Sequence, residues 1–151
     1  MKLAEALAQR SDATRRVEQL RVRIVGSARY QEGEEPAEDA AELLAESEVV
    51  LDDLESLIRR INRTNASAVI DGRGTLTDAL ARRDVLRMRH AADAASGRDQ
   101  RGAVRQLRSE LKMLAALPVA QLRAQADVLA REIREIDVAI QRTNWEVDLL
   151  D

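Results

Sequence analysis

The sequence contains no cysteine and no phenylalanine, and its aromatic side chains are limited to Tyr30 and Trp145. The absence of cysteine excludes disulfide frameworks, thiolate nucleophiles and Cys-based metal sites. The scarcity of aromatic residues argues against an all-β sandwich or barrel, whose strands draw on Val, Thr, Tyr and Phe. With a single histidine, His90, the chain also lacks the material for a His-rich zinc site or a Ser-His-Asp triad. We therefore expect no metal, no cofactor, no catalytic residue and no enzymatic activity.

What the sequence has in abundance is small apolar residues and charge: 45% of its residues are hydrophobic and 34% are charged. Chains rich in Ala, Leu, Arg and Glu favour helices that approach closely. A chain of 151 residues has the usual length of one domain. A domain of this size buries roughly 70% of the surface that its unfolded chain exposes. No apolar segment of membrane-spanning length and no apolar targeting segment is readable, so we expect a soluble, cytoplasmic protein without a membrane partner.

Apolar residues at heptad spacing predict two helices in the first half of the chain. The first spans residues 2–29 and ends before the stretch that contains Gly33 and Pro36. The second spans residues 37–68 and is followed by a turn over 71–74. Its predicted inward stripe comprises Leu43, Leu44, Val50, Leu51, Leu54, Leu57, Ile58 and Ile61.

Two further helices are predicted in the second half. The third begins at Thr75, where Asp78 completes a capping box, and it continues to about residue 95. The fourth runs from about Pro118, which suits a first helical turn, to Trp145. Residues from about 97 to 117 suit a helix, a strand or an extended arm, and we interpret them as a linker or arm.

The chain carries an internal duplication. Residues 3–10 share five of eight identities with residues 76–83, at an offset of 73. Residues 61–65 share four of five identities with residues 140–144, at an offset of 79, and repeat an Arg-Thr-Asn triplet. Ala/Leu periodicity does not generate two such triplets at corresponding helix ends.

We interpret the duplication as two antiparallel helical hairpins, residues 1–70 and 75–151, within a single all-α domain of residues 1–151. Each hairpin has an apolar stripe that it cannot bury alone. The predicted architecture is therefore a four-helix bundle, or a coiled-coil-like assembly shared with a second chain. Long, Ala-rich helices with few aromatic residues favour a homo-oligomer.

A site could form at the helix ends that carry the Arg-Thr-Asn triplets. The heptad positions that face the core along each helix are occupied there by polar residues. Buried polar groups need partners, and each one left without a partner costs about 1–3 kcal/mol. One interpretation is a polar layer that fixes helix register and partner choice. The other is a small polar pocket in which Arg10 and Arg83 bind an anion and Trp145 forms one wall. The candidate ligand-binding residues are Arg10, Asn62, Thr64, Asn65, Arg83, Thr143, Asn144 and Trp145.

Charge is distributed unevenly along the chain. Residues 31–55 contain eleven acids and no base, whereas from Ser56 onward 17 Lys/Arg face 13 Asp/Glu. We expect the acidic segment 31–55 to be a surface for a protein partner. An isoelectric point near 5.4 and the lack of stacking aromatics argue against nucleic-acid binding.

Five strings together resemble a bacterial family of uncharacterised proteins labelled septicolysin-like. They are MKLAEAL at 1–7, QEGEEPAED at 31–39, INRTN at 61–65, LTDALARRD at 76–84 and TNW at 143–145. The resemblance implies an all-helical fold and, through the label, a membrane-active cytolysin. The residues themselves favour a self-assembling structural or interaction module, so the cytolysin and a small-ligand site at the Arg-Thr-Asn end are alternatives.

Overall fold

The computed structural model describes residues 1–98 and 114–151. Within these ranges the fold is mostly helical, with one two-stranded antiparallel sheet. The elements in chain order are α1 (Leu3–Ser27), α2 (Ala40–Ser67), β1 (Val69–Ile70), β2 (Gly74–Thr75), α3 (Leu76–Arg98) and α4 (Val119–Glu146). The helices agree with the all-α prediction and begin and end within three residues of the predicted bounds. The two strands were not predicted.

The chain divides into two compact units. The first contains Met1–Ala68 together with Thr143–Asp151, and the second contains Val69–Arg142. The predicted linker or arm at about 97–117 falls mostly on residues 99–113, which lie outside the described residues. Residues 114–118 are not helical and precede α4.

In the first unit, α1 and α2 pack against each other in antiparallel directions. Arg16 pairs with Glu46 of α2 and Arg23 pairs with Glu38 just before α2, so a later position on α1 meets an earlier position in the second helical segment. Asp39 caps α2, since its carboxylate accepts the Ala41 N–H at 2.8 Å. The inward residues of α2 recur at alternating steps of three and four, as in knobs-into-holes packing. They are Leu43, Ser47, Val50, Leu54, Leu57, Ile61 and Thr64, and the pattern continues to Ala68 directly after the helix.

The apolar stripe predicted for α2 consists of two rows, and only one of them is inward. Leu44, Leu51 and Ile58 are 52%, 40% and 38% exposed. Each of these three follows an inward residue by one position, which turns a side chain by about 100° on a helix of 3.6 residues per turn. The prediction that they belong to the core was therefore wrong. They form a heptad-spaced apolar row on the flank of α2, which we call the α2 row.

The second unit begins with the short hairpin of β1 and β2. Val69 pairs with Thr75 and Ile70 pairs with Gly74. The predicted turn over 71–74 is confirmed. Gly72 and Gly74 have φ values of +69° and +77°, a region that a residue with a Cβ adopts only at a cost.

The start of α3 has the predicted capping box. The Asp78 carboxylate accepts the Thr75 N–H at 2.8 Å, and the Thr75 hydroxyl accepts the Asp78 N–H at 3.2 Å. The Thr75 hydroxyl also donates to the Asp78 carboxylate at 2.8 Å, and the hydrogen bonds that the carboxylate accepts from the Thr75 N–H and hydroxyl lower the pKa of Asp78. Ion pairs join α3 to α4, from Arg82 to Glu132 at 3.4 Å and from Arg87 to Asp137 at 3.0 Å. The buried apolar residues of these two helices are Leu76, Ala79, Leu86, Ala126, Leu129, Ile136 and Ile140.

Candidate functional site

The first Arg-Thr-Asn triplet, which begins at Arg63, binds the last residues of the sequence. Thr64 is fully buried, and its hydroxyl donates to the Arg60 carbonyl at 2.8 Å and accepts the Leu150 N–H at 3.0 Å. The Arg60 Nε donates to the Leu150 carbonyl at 3.0 Å. The Arg63 guanidinium donates to the main-chain oxygen of Asp151 at 2.8 Å. The end of α2 therefore holds an extended segment of the chain through that segment's main chain.

The start of the chain holds the same segment from its other side. Lys2 forms an isolated antiparallel bridge with Asp148, and the Leu3 N–H donates to the Val147 carbonyl at 3.0 Å. The Lys2 ammonium lies 2.9 Å from the Asp148 carboxylate, and this hydrogen bond and charge lower the pKa of Asp148. We call the contacts of residues 147–151 with residues 1–3 and 60–64 the clasp.

The second triplet ends α4 as the first ends α2. The Thr143 carbonyl accepts the Val147 N–H at 3.0 Å, and the Thr64 carbonyl accepts the Ala68 N–H at 2.8 Å. Thr143 is 8% exposed and Asn144 is 6% exposed. Both threonines therefore occupy inward positions, as the heptad spacing predicts.

The remaining candidate residues lie in different surroundings. Arg10 and Asn62 are exposed, Asn65 is half-buried and Trp145 is 62% exposed. Arg83 belongs to the second unit, where it pairs with Asp84 at 3.0 Å and lies 3.8 Å from the Asp137 carboxylate. Their role in ligand binding stays a prediction.

Sequence reasoning missed the residues that make most of the clasp. Arg60 precedes Thr64 by one helical turn, and Lys2 and Asp148 lie at opposite ends of the chain, so no local pattern connects them. The internal duplication does indicate that Lys2 and Asp148 pair. The offset of 79 relates Asp148 to Val69, and the offset of 73 relates Lys2 to Thr75. Val69 and Thr75 pair with each other, as Asp148 and Lys2 do.

Metal clusters and membrane-spanning helices are both absent from the described residues. No group of three or more His, Cys, Asp or Glu side chains in residues 1–98 and 114–151 is arranged to hold a metal ion. Across the same part of the chain, no helix has the length and apolar character needed to cross a membrane.

The clasp and the packed helices define a helical protein whose polar helix ends contact its own main chain. The chain belongs to a family described as "Family of unknown function (DUF6847)", whose profile matches residues 10–149. It is also similar to a solved crystal structure, that of a functionally unknown conserved protein from Corynebacterium diphtheriae. The two are 40% identical, the match covers 99% of each chain, and the TM-score is 0.93. A comparison with curated proteins gave no match.

These comparisons correct the resemblance read from the sequence. The septicolysin-like assignment was wrong, because the profile that matches almost the whole chain is that of a family of unknown function. Two of the strings that suggested it, MKLAEAL and LTDALARRD, are Ala- and Leu-rich helix segments, whose composition many helical chains share. The cytolytic activity rested on the label alone and loses its basis.

Proposed function

We propose that the protein is a self-assembling helical interaction module without a catalytic role. The observation that carries the proposal is the α2 row. Leu44, Leu51 and Ile58 are each more than a third exposed although their neighbours in sequence pack inward. Exposed apolar residues that form a continuous patch mark interaction surfaces more often than scattered ones do.

The position of the α2 row suits a helical partner. Residues seven apart lie on one line along a helix, and the row spans about 21 Å from Leu44 to Ile58 at 1.5 Å per residue. A helix that buries the inward row and this flank together has the broad apolar face used in multi-helix packing. The inward row is buried or half-buried, whereas the α2 row is exposed.

The acidic segment 31–55 supports an interaction surface in part. Glu38 and Glu46 pair with arginines of α1, so these two acids serve the packing of the first unit. Arg23 lowers the pKa of Glu38, chiefly through its hydrogen bond. Glu42, Glu48 and Asp52 are exposed on α2 and border its outer surface. We propose that these acids contribute to partner choice rather than to affinity.

The duplicated hairpin, residues 1–70 and 75–151, is part of the proposal and has local support. The Glu5 carboxylate accepts the Lys2 N–H at 2.7 Å, as the Asp78 carboxylate accepts the Thr75 N–H at 2.8 Å. Both pairs are related by the offset of 73. The four-helix bundle or coiled-coil-like assembly and the cytoplasmic location stay predictions.

Ligand binding at the Arg-Thr-Asn end is the weaker alternative. Of the two arginines predicted to bind an anion, Arg10 is exposed and Arg83 already pairs with Asp84 at 3.0 Å. The Thr64 hydroxyl already accepts the Leu150 N–H of the clasp. Among the described residues, no contact at this end favours a ligand over that segment.

Measurement of mass in solution tests the proposal. We expect sedimentation velocity between 1 and 100 µM to give a species that is a multiple of the 16.8 kDa chain. The variant Leu51→Gln should shift it toward 16.8 kDa, and Val22→Gln on α1, whose side chain is 60% exposed, is the control. A single 16.8 kDa species of the unaltered protein at all concentrations would refute self-assembly.

A further inference from the structure

A second exposed apolar row lies on α3. Its members recur at steps of three and four and carry no charge over about 21 Å of helix. Val85 is 44% exposed and Met88 is 71% exposed, and the alanines of the row are exposed as well. The α3 row consists of Ala81, Val85, Met88, Ala92 and Ala95.

The two rows have the same length, with glutamates beside one and arginines beside the other. Glu55 also lies 3.8 Å from Arg59 of its own helix, and Arg82 pairs with Glu132 at 3.4 Å. Arg82 and Arg89 flank the α3 row and are seven residues apart, about 10.5 Å. Glu48 and Glu55 flank the α2 row with the same spacing. Within residues 1–98 and 114–151, Arg89 makes no ion pair and Glu48 makes none.

We infer that the α2 row of one copy binds the α3 row of a second copy. The inference rests on the proposed self-assembly and names the partner surface. Pairing of two α2 rows would bring Glu48 and Glu55 against like charges, and pairing of two α3 rows would do the same for Arg82 and Arg89. Like charges in an interface disfavour wrong pairings, whereas α2 against α3 places opposite charges together.

The alanines of the α3 row fit this role. Small side chains let two helices approach closely, and the larger side chains of the α2 row then fill the space beside Val85 and Met88. The contact joins two different surfaces, so a two-fold dimer would contain it twice.

Exchange of charge between copies tests the inference. In the Glu48→Arg variant, the new arginine beside the α2 row faces Arg89 of the next copy, so two positive charges meet. In the Arg89→Glu variant, the new glutamate beside the α3 row faces Glu48 of the next copy, so two negative charges meet. We expect either variant alone to associate at least about tenfold more weakly than the unaltered protein. An equal mixture of the two should recover association, because the arginine introduced into one variant then faces the glutamate introduced into the other.

The control and the possible outcomes separate the two proposals. Asp53→Arg makes the same charge change on the side of α2 away from the row and should leave association unchanged. Far-UV circular dichroism confirms that each variant is folded. Recovery in the mixture supports the α2–α3 contact. If the unaltered protein associates and Leu51→Gln weakens it but the mixture does not recover, the partner surface is wrong and self-assembly stands. If the unaltered protein does not associate, both proposals fail.

Discussion

The clasp makes a sharp prediction through one buried hydroxyl. Thr64→Val keeps the shape and inward methyl of the side chain but removes the oxygen that accepts the Leu150 N–H at 3.0 Å. The Leu150 N–H then has no acceptor from this side chain at a part-buried position. An unsatisfied buried donor costs about 1–3 kcal/mol, so we expect a loss of about 1–2 kcal/mol in the free energy of unfolding. For a chain of this size, that corresponds to about 2–8 °C in Tm.

Two measurements distinguish loss of the clasp from general destabilisation. Urea unfolding followed by circular dichroism reports the free energy of unfolding. Hydrogen exchange of the Leu150 amide reports the clasp itself, and we expect this amide to exchange faster in Thr64→Val. Thr64→Ser retains the hydroxyl and should keep the protection. Ser67→Ala is the matched control, because the Ser67 hydroxyl donates only to carbonyls of its own helix.

One result would refute the reasoning. If Thr64→Val unfolds at the same urea concentration and Leu150 keeps its protection, the hydroxyl does not hold the segment. The triplet would then be free to serve another purpose, and the ligand-binding alternative would regain interest.

Two further predictions concern the turn and the clasp. Gly74→Ala should lower the free energy of unfolding by about 1–2 kcal/mol, because φ is +77° and the new Cβ would lie 2.6 Å from Asp78 Oδ2. The control is Gly26→Ala, whose added Cβ has nothing within 4 Å and which should be neutral or stabilising. Thermal unfolding followed by circular dichroism measures both variants. The pKa of Asp148 is lowered by Lys2, so its contribution is present above its ordinary pKa of about 3.9 and is lost as the pH falls through the lowered value. The stability difference between the unaltered protein and Asp148→Asn should therefore shrink toward acid pH, and a difference that stays constant from pH 7 to 2 would contradict this.

The helices and the cap of α3 could be predicted from the sequence because their signals are local. Apolar residues spaced by three and four mark each helix, and a threonine followed three residues later by a carboxylate marks the start of α3. The strands β1 and β2 have two residues each. Such strands are too short to show the alternation by which strands are recognised.

The site could be predicted only in part. The inward position of Thr64 follows from heptad spacing, but its partner Leu150 is 86 residues away and belongs to no repeating pattern. The α2 row shows a related limit. An apolar residue at heptad spacing satisfies the pattern whether it faces α1 or lies on the flank, and only packing distinguishes Leu51 from Val50.

The clasp has a consequence for the order in which the chain folds. The second unit is one continuous stretch, Val69–Arg142, whereas the first needs Met1–Ala68 and then Thr143–Asp151. During synthesis from the amino end, we expect α1 and α2 to meet first and the clasp to form only after residues 143–151 emerge. Closing so long a loop adds an entropic barrier that grows slowly with loop length. The second unit, although made later, is complete before the first.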